Sequence, residues 1–104
     1  MLPAGIAGSM ATYKLSQKAK TDLRKIYRYG LLEHGEKLAD QYYAAFFKRF
    51  EEIAENPLFY PTVDSIRKGY RRSVCGIHAI YYRIKYDTVE IMRLLGRQDT
   101  KKLF

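Results

Sequence analysis

Gly69-Tyr70-Arg71-Arg72-Ser73-Val74-Cys75-Gly76-Ile77-His78-Ala79-Ile80-Tyr81-Tyr82-Arg83-Ile84-Lys85-Tyr86-Asp87-Thr88-Val89-Glu90-Ile91-Met92-Arg93-Leu94-Leu95 is where the architecture of this chain can be read. Three segments of it, about 69–75, 78–86 and 89–95, follow a period of two and are rich in β-branched and aromatic residues, which predicts strands. Gly76-Ile77 and Asp87-Thr88 leave room only for tight connections, so consecutive strands should pair antiparallel as a meander. In the middle strand His78, Ile80, Tyr82 and Ile84 share one side and Ala79, Tyr81, Arg83 and Lys85 the other, because successive side chains alternate. The first set is expected under a layer of helices. The last strand is apolar on both sides, Ile91 and Leu95 against Met92 and Leu94, and Arg93 should mark the side that helices do not cover.

Upstream, Asn56, Pro57, Pro61, Asp64 and Ser65 are turn formers and predict a loop. Before it stand two helical patterns. From Gln17 the positions Ala19, Leu23, Ile26, Tyr27 and Gly30 form one amphipathic stripe, with Lys18, Lys20, Arg24, Lys25 and Arg28 mostly off it, and Ser16 is placed to cap the first turn. His34-Gly35-Glu36 interrupts the pattern. A second helix is expected from 37 to about 55, stopped by Asn56-Pro57 because proline disfavours a helical residue before it. This helix has two apolar stripes, Leu38, Tyr42, Ala45, Phe46 and Ile53 on one side and Tyr43, Phe47, Phe50 and Ala54 on another. Such a width needs two neighbours: either both stripes are core, or part of the surface meets a partner chain. Thr12-Tyr13-Lys14-Leu15 alternates and predicts a short strand. Residues 1–9 carry no charge or periodicity and end in Gly-Ser before Met10, so they read as an appended, poorly ordered leader on a single domain of residues 10–104. The fold class is therefore α+β: an N-terminal strand, an antiparallel helical hairpin and a small, mostly antiparallel sheet in the order β-α-α-β-β-β, with the hairpin packed on one sheet face.

A chain of 104 residues has room for one core, and its hydrophobic fraction of 47% excludes intrinsic disorder. Nineteen Lys and Arg against eleven Asp and Glu leave a net charge of +8, which favours nucleic acid or an acidic protein as partner. The single cysteine cannot form an internal disulfide, and no apolar run is long enough for a membrane span, so a cytoplasmic protein without a membrane partner is expected.

No phosphate-binding loop, dinucleotide fingerprint or paired Cys/His spacing is present, so neither a metal nor any other cofactor is expected. His34 and His78 are far apart in sequence, and His78 reads as a hydrogen-bonded packing residue. Cys75 reads as an inert small hydrophobe, although Arg71, Arg72 and His78 could lower its pKa if they lay close. The arginines of the strands are more informative. If Arg71, Arg83 and Arg93 project from an uncovered sheet face, with Arg97 beyond them, they form a concave cationic surface for RNA, DNA or an acidic peptide; otherwise they belong to a solvated face. A ribonuclease would also need a proton donor and acceptor beside the phosphate, for which Tyr81 and His78 are the candidates.

The order of elements and the residues along it resemble the ParE branch of the RelE/ParE toxin superfamily. The resemblance starts at Leu15-Ser16, Ala19 and Asp22-Leu23 and continues through Ile26-Tyr27, Gly35, Tyr42, Phe50 and Asn56-Pro57. It runs on through Ile66, Gly69-Tyr70-Arg71-Arg72, the stretch 78–84 and Ile91-Met92-Arg93-Leu94-Leu95 to Gly96-Arg97-Gln98-Asp99. It implies the toxin of a type II toxin–antitoxin pair. RelE-like members cut messenger RNA on the ribosome with basic residues and a Tyr or His near the C-terminus, whereas ParE-like members are associated with poisoning DNA gyrase. Residues 97–104 hold no Tyr or His, which favours the second branch and a toxin with no catalytic residues; Gly96 stands where ParE sequences often have histidine. The resemblance further implies an acidic antitoxin that folds on binding, with nucleic acid engaged only indirectly through target or antitoxin. On it, Arg71, Arg83, Arg93, Arg97, Lys101, Lys102, Leu103 and Phe104 are expected to bind the target. Tyr42, Tyr43, Phe46, Phe47 and Phe50 are expected to bind the antitoxin. The alternatives are a ribosome-dependent mRNA interferase and a non-toxic basic binding module.

Overall fold

The computed structural model of the chain describes residues 12–96. In order these form β1 (Thr12–Leu15), α1 (Gln17–His34), α2 (Glu36–Glu55), β2 (Tyr70–Cys75), β3 (His78–Lys85) and β4 (Thr88–Gly96). The expected element order holds. Residues 1–9, read as a leader, and the tail from Arg97 lie outside the described residues.

Each boundary has a local cause. Ser16 is extended, and its hydroxyl accepts from the Ala19 amide, as an N-cap should. Gly35 alone separates the helices. Its φ of +88°, costly for a residue with a side chain, lets the chain reverse while its amide closes α1 on Leu31 and its carbonyl receives the Ala39 amide. Above this turn the helices approach closely, since a Cβ on Gly30 would sit 3.4 Å from that of Ala39. The β2–β3 hairpin turns at Gly76-Ile77, as expected. The β3–β4 hairpin turns at Tyr86-Asp87, one residue earlier than expected, with Tyr86 itself at φ 57°.

The sheet order is β1-β4-β3-β2, antiparallel except for the parallel pairing of β1 with β4. Against one face lies the main core: Ala19, Leu23, Phe46, Phe50 and Ile53 from the helices on Ile80, Tyr82, Val89, Ile91 and Leu94 from the sheet. Leu38, placed on a core stripe by periodicity, is 54% exposed, and Ala45 is also exposed. Both lie to one side of the arc of α2 that Ala39, Phe46, Phe50 and Ile53 turn into the core.

Two features depart from the sequence reading. The first concerns the sheet face away from the helices, expected to be uncovered. The 56–69 connection folds back along β2, with an isolated bridge between Thr62 and Arg71, and sets Val63 and Ile66 on Tyr70, Ala79, Tyr81, Leu95 and Met92. A second, smaller core results. The second departure is a bulge: Tyr81 pairs with Arg93 but Tyr82 with Ile91, leaving Met92 extra. One added residue resets the alternation. Ile91 and Leu94 therefore share the helical side, while Met92 and Leu95 join the second core.

Candidate functional site

A groove with a volume of about 680 Å³ lies between the helical hairpin and the β2–β3 turn and presents apolar side chains. Ile26, Tyr29 and His34 of α1, Leu38 and Tyr42 of α2, and Ile77 of the turn form its walls. Ile77 is 71% exposed and Tyr29 60%. Water-facing apolar side chains gathered in one concavity are costly to a free protein and characterise a surface that receives a partner.

Tyr42 fixes the shape of this groove. Its hydroxyl donates to the Cys75 carbonyl at 3.1 Å, accepts from the Ile77 amide at 3.2 Å and lies 2.9 Å from His78 Nδ1. Burial raises the Tyr42 pKa, partly offset by the Ile77 amide. Gly76 completes the arrangement, for at φ +64° it passes directly beneath the tyrosine, and a Cβ there would overlap the hydroxyl. Cys75, behind the turn, is buried and its thiol pKa is raised by burial, so it is held as a neutral packing group.

Along the outer side of the hairpin, Arg24, Tyr27, Arg28, Leu31, Asp40 and Tyr43 line a shallower depression. Tyr27 donates to Asp40 Oδ1 at 2.5 Å, which raises its pKa, and packs edge-on against Tyr43, whose ring in turn meets Phe47. Among the aromatic residues expected to bind an antitoxin, Tyr43 and Phe47 thus keep accessible surface and Tyr42 forms a groove wall. Phe46 and Phe50 are fully buried in the main core and offer a partner no surface in this conformation. The groove residues that periodicity did not single out are Tyr29 and Ile77, and Leu38, assigned by periodicity to a core stripe, turns out to line the groove instead. Ile77 carried a readable signal, an isoleucine in a two-residue turn.

The strand arginines are not gathered into a cationic surface. Register places Arg71 opposite Tyr82, on the helical side, where its Nη1 donates to the Tyr60 carbonyl at 2.6 Å and the Leu58 carbonyl at 3.4 Å. Arg83 pairs with its cross-strand neighbour Glu90 at 2.6 Å. That bond raises the arginine pKa and lowers that of the glutamate. Arg93 reaches around the end of β1 to α1, where Asp22 takes it through two bonds of 2.8 and 3.0 Å and also accepts the Leu94 amide at 2.9 Å. The reason is structural. β1 ends at Leu15, so β4 beyond Ile91 has an open edge, which Ser16 and Asp22 close by binding the Met92 carbonyl and the Leu94 amide. Arg97, Lys101, Lys102, Leu103 and Phe104 lie outside the described residues.

His78 is bound to Tyr42, and Tyr81, fully buried in the second core, has no hydrogen-bond partner for its hydroxyl among the described residues. The residues that a nuclease reading would use therefore do not converge: Arg71 and His78 face the helices, and Tyr81 the opposite side. Among the described residues no group of three or more His, Cys, Asp or Glu side chains is placed to hold a metal, and no helix is long and apolar enough to cross a membrane.

Comparison with known proteins gives this geometry its context. Residues 13–100 match the family model described as the ParE toxin of the type II toxin–antitoxin system parDE. The chain belongs to the ParE toxin family. Toxin ParE1 of Caulobacter vibrioides is 37% identical over 86 residues, covering 83% of this chain and 88% of the relative. Toxin ParE1 of Mycobacterium tuberculosis is 31% identical over 87 residues, covering 83% and 89%. A solved structure of the chromosomal ParDE toxin–antitoxin system of P. aeruginosa superposes with a TM-score of 0.74 at 19% identity, over 84% of this chain and 96% of that one, and so shares the fold. As a ParE toxin the chain is one half of a pair, and a cognate antitoxin is its partner.

Proposed function

We propose that this ParE toxin acts in the bacterial cytoplasm by binding and poisoning DNA gyrase, without catalysis of its own, and that its antitoxin silences it through the groove between the hairpin and the β2–β3 turn. The target rests on the resemblance to the ParE branch. The non-catalytic reading rests on one observation: Arg71, Arg83 and Arg93 are spent on backbone carbonyls and carboxylates, and Tyr81 is sealed in a core. Of the expected target-binding set, Arg83 keeps 39% of its side chain accessible, and Arg97, Lys101, Lys102, Leu103 and Phe104 complete the proposed surface.

The groove suits an amphipathic segment that folds on docking. Its apolar walls would take anchors spaced by helical turns, while Lys25 at the rim and the chain's net charge of +8 would attract acidic residues of the same segment. Tyr43 and Phe47 extend the contact along the hairpin. The test is made in cells. Toxin carrying Ile77→Asp and Leu38→Asp should still arrest growth when induced, yet should no longer be rescued by co-expressed antitoxin. Full rescue would remove the groove from the antitoxin interface.

A further inference from the structure

We infer that the outer face of α1 binds the phosphate backbone of duplex DNA directly, without regard to sequence. Lys18, Lys20, Arg24, Lys25 and Arg28 are all exposed. At 3.6 residues per turn they fall within an arc of about 160°, diametrically opposite Ala19, Leu23 and Ile26, which face the core. Between residues 17 and 28 only Gln17 and Thr21 share that arc, so these three turns present cations and no apolar side chain, and Leu31 and Leu32 enter the arc only in the last turn of α1.

Nothing in the fold calls for this arrangement. Lys20, Arg24 and Arg28 follow one another at i, i+4 and i+8, a spacing at which like charges destabilise a helix. The first turn carries no acidic residue and has Lys18 and Lys20 at the positive end of the helix dipole, again the unfavourable sign. None of the five forms an ion pair among the described residues. Asp22, on the same helix, is turned inward to Arg93, and Asp40, across the depression from Arg24 and Arg28, is bound by Tyr27. Local rules broken together without internal compensation point to an external partner.

Chemistry selects the partner. A protein surface would need apolar anchors among the cations, and lysine is depleted from the centres of protein interfaces. From Lys18 to Arg28 the arc carries long cationic side chains with only Gln17 and Thr21 among them, over roughly 15 Å, the length of ten helical residues, and its nearest apolar side chains, Leu31 and Leu32, stand at one end rather than among the cations. Duplex DNA presents one negative charge per about 1.7 Å of its axis, so several phosphates lie within that reach. Beyond the N-terminus of α1, Lys18 lines a cleft together with Tyr70, Met92 and Arg67, whose guanidinium lies over the Tyr70 ring. This contact with DNA is direct, in contrast to the indirect one implied by family resemblance, and does not depend on the gyrase reading.

The test is fluorescence anisotropy of a labelled 25-base-pair duplex titrated with the free, full-length chain across a range of salt concentrations. Lys20→Gln, Arg24→Gln and Arg28→Gln combined should weaken binding at least tenfold at low salt and reduce the slope of log K against log salt by about 2.7, three contacts at 0.9 each. Lys14→Gln, Lys48→Gln and Lys85→Gln combined remove the same charge from other exposed positions and should weaken binding less than threefold. The helix variant should melt within a few degrees of the unsubstituted chain, since the repulsion removed offsets the one exposed hydrogen bond lost, from Arg24 to the Thr21 hydroxyl. Equal losses in both triple variants would reduce the effect to net charge and overturn the proposal. So would an unchanged salt slope, or displacement of the duplex by poly-glutamate at matched charge. Gyrase poisoning that survives in the helix variant would leave the gyrase reading standing on its own.

Discussion

Asp22→Ala should be the most damaging single substitution outside the apolar core. The carboxylate, 9% exposed, holds the Arg93 guanidinium, 17% exposed, through two oxygens, and one of these also accepts the Leu94 amide at the open edge of β4. Removing one partner of a buried pair costs about 3–5 kcal/mol, because the other charge is left without compensation. The pair here is partly accessible, so the lower end applies to the charge; the orphaned amide adds about 1 kcal/mol. The expected loss is about 4 kcal/mol, against a total stability of about 5–15 kcal/mol for a domain of this size. At about 4–8 °C per kcal/mol, the midpoint of thermal unfolding should fall by about 16–32 °C. Urea unfolding followed by far-UV circular dichroism measures the loss. A cycle with Arg93→Met isolates the coupling, which should exceed about 1 kcal/mol, with the double variant less damaged than the sum of the singles. A loss below about 1 kcal/mol for Asp22→Ala, or strict additivity, would refute the placement of Arg93 as a structural group and return it to the proposed target surface.

Three further expectations follow from the same geometry. Gly76→Ala should cost about 2 kcal/mol or more, since the left-handed backbone disfavours a side chain by about 1–2 kcal/mol and the new Cβ would also displace the Tyr42 hydroxyl; pairing it with Tyr42→Phe should recover part of the loss in urea melts. Tyr81→Phe should leave stability unchanged or raise it by about 1 kcal/mol, because it removes a buried hydroxyl that has no partner; a clear loss in the same melts would mean that the hydroxyl is satisfied. The Arg83 bond holds the Glu90 pKa below the ordinary carboxylate value, so its contribution is present above that value and disappears as pH falls through the lowered one. The unsubstituted chain should therefore lose more stability between pH 6 and pH 3 than Glu90→Gln does, and equal slopes would show the pair to be inert.

Local chemistry was readable from sequence because it acts over a few residues. Ser16, Gly35 and Asn56-Pro57 bound the helices as expected, and alternation placed the three C-terminal strands to within a residue or two. Long-range compensation was not readable. Asp22 is one of the few acids in a basic helix, and nothing local says that it will close the edge of a strand 72 residues away. The bulge at Met92 adds one residue to a pattern whose parity was assumed constant, and so exchanged the sides of Leu94 and Leu95. Fourteen turn-rich residues between α2 and β2 read as a loop, yet Val63 and Ile66 within them cover the sheet face that was expected to display arginines. Aromatic residues on α2 divided between core and surface according to which side of the helix the sheet and α1 cover, and with two apolar stripes the pattern alone did not say which that would be.

The central claim is tested most directly by incubating purified toxin with DNA gyrase, ATP and relaxed plasmid, and following both supercoiling and gyrase-linked DNA breaks. Supercoiling should fall and breaks should accumulate with toxin dose, and antitoxin added beforehand should abolish both effects. Undiminished supercoiling and no breaks, from toxin that still arrests growing cells, would contradict gyrase as the target.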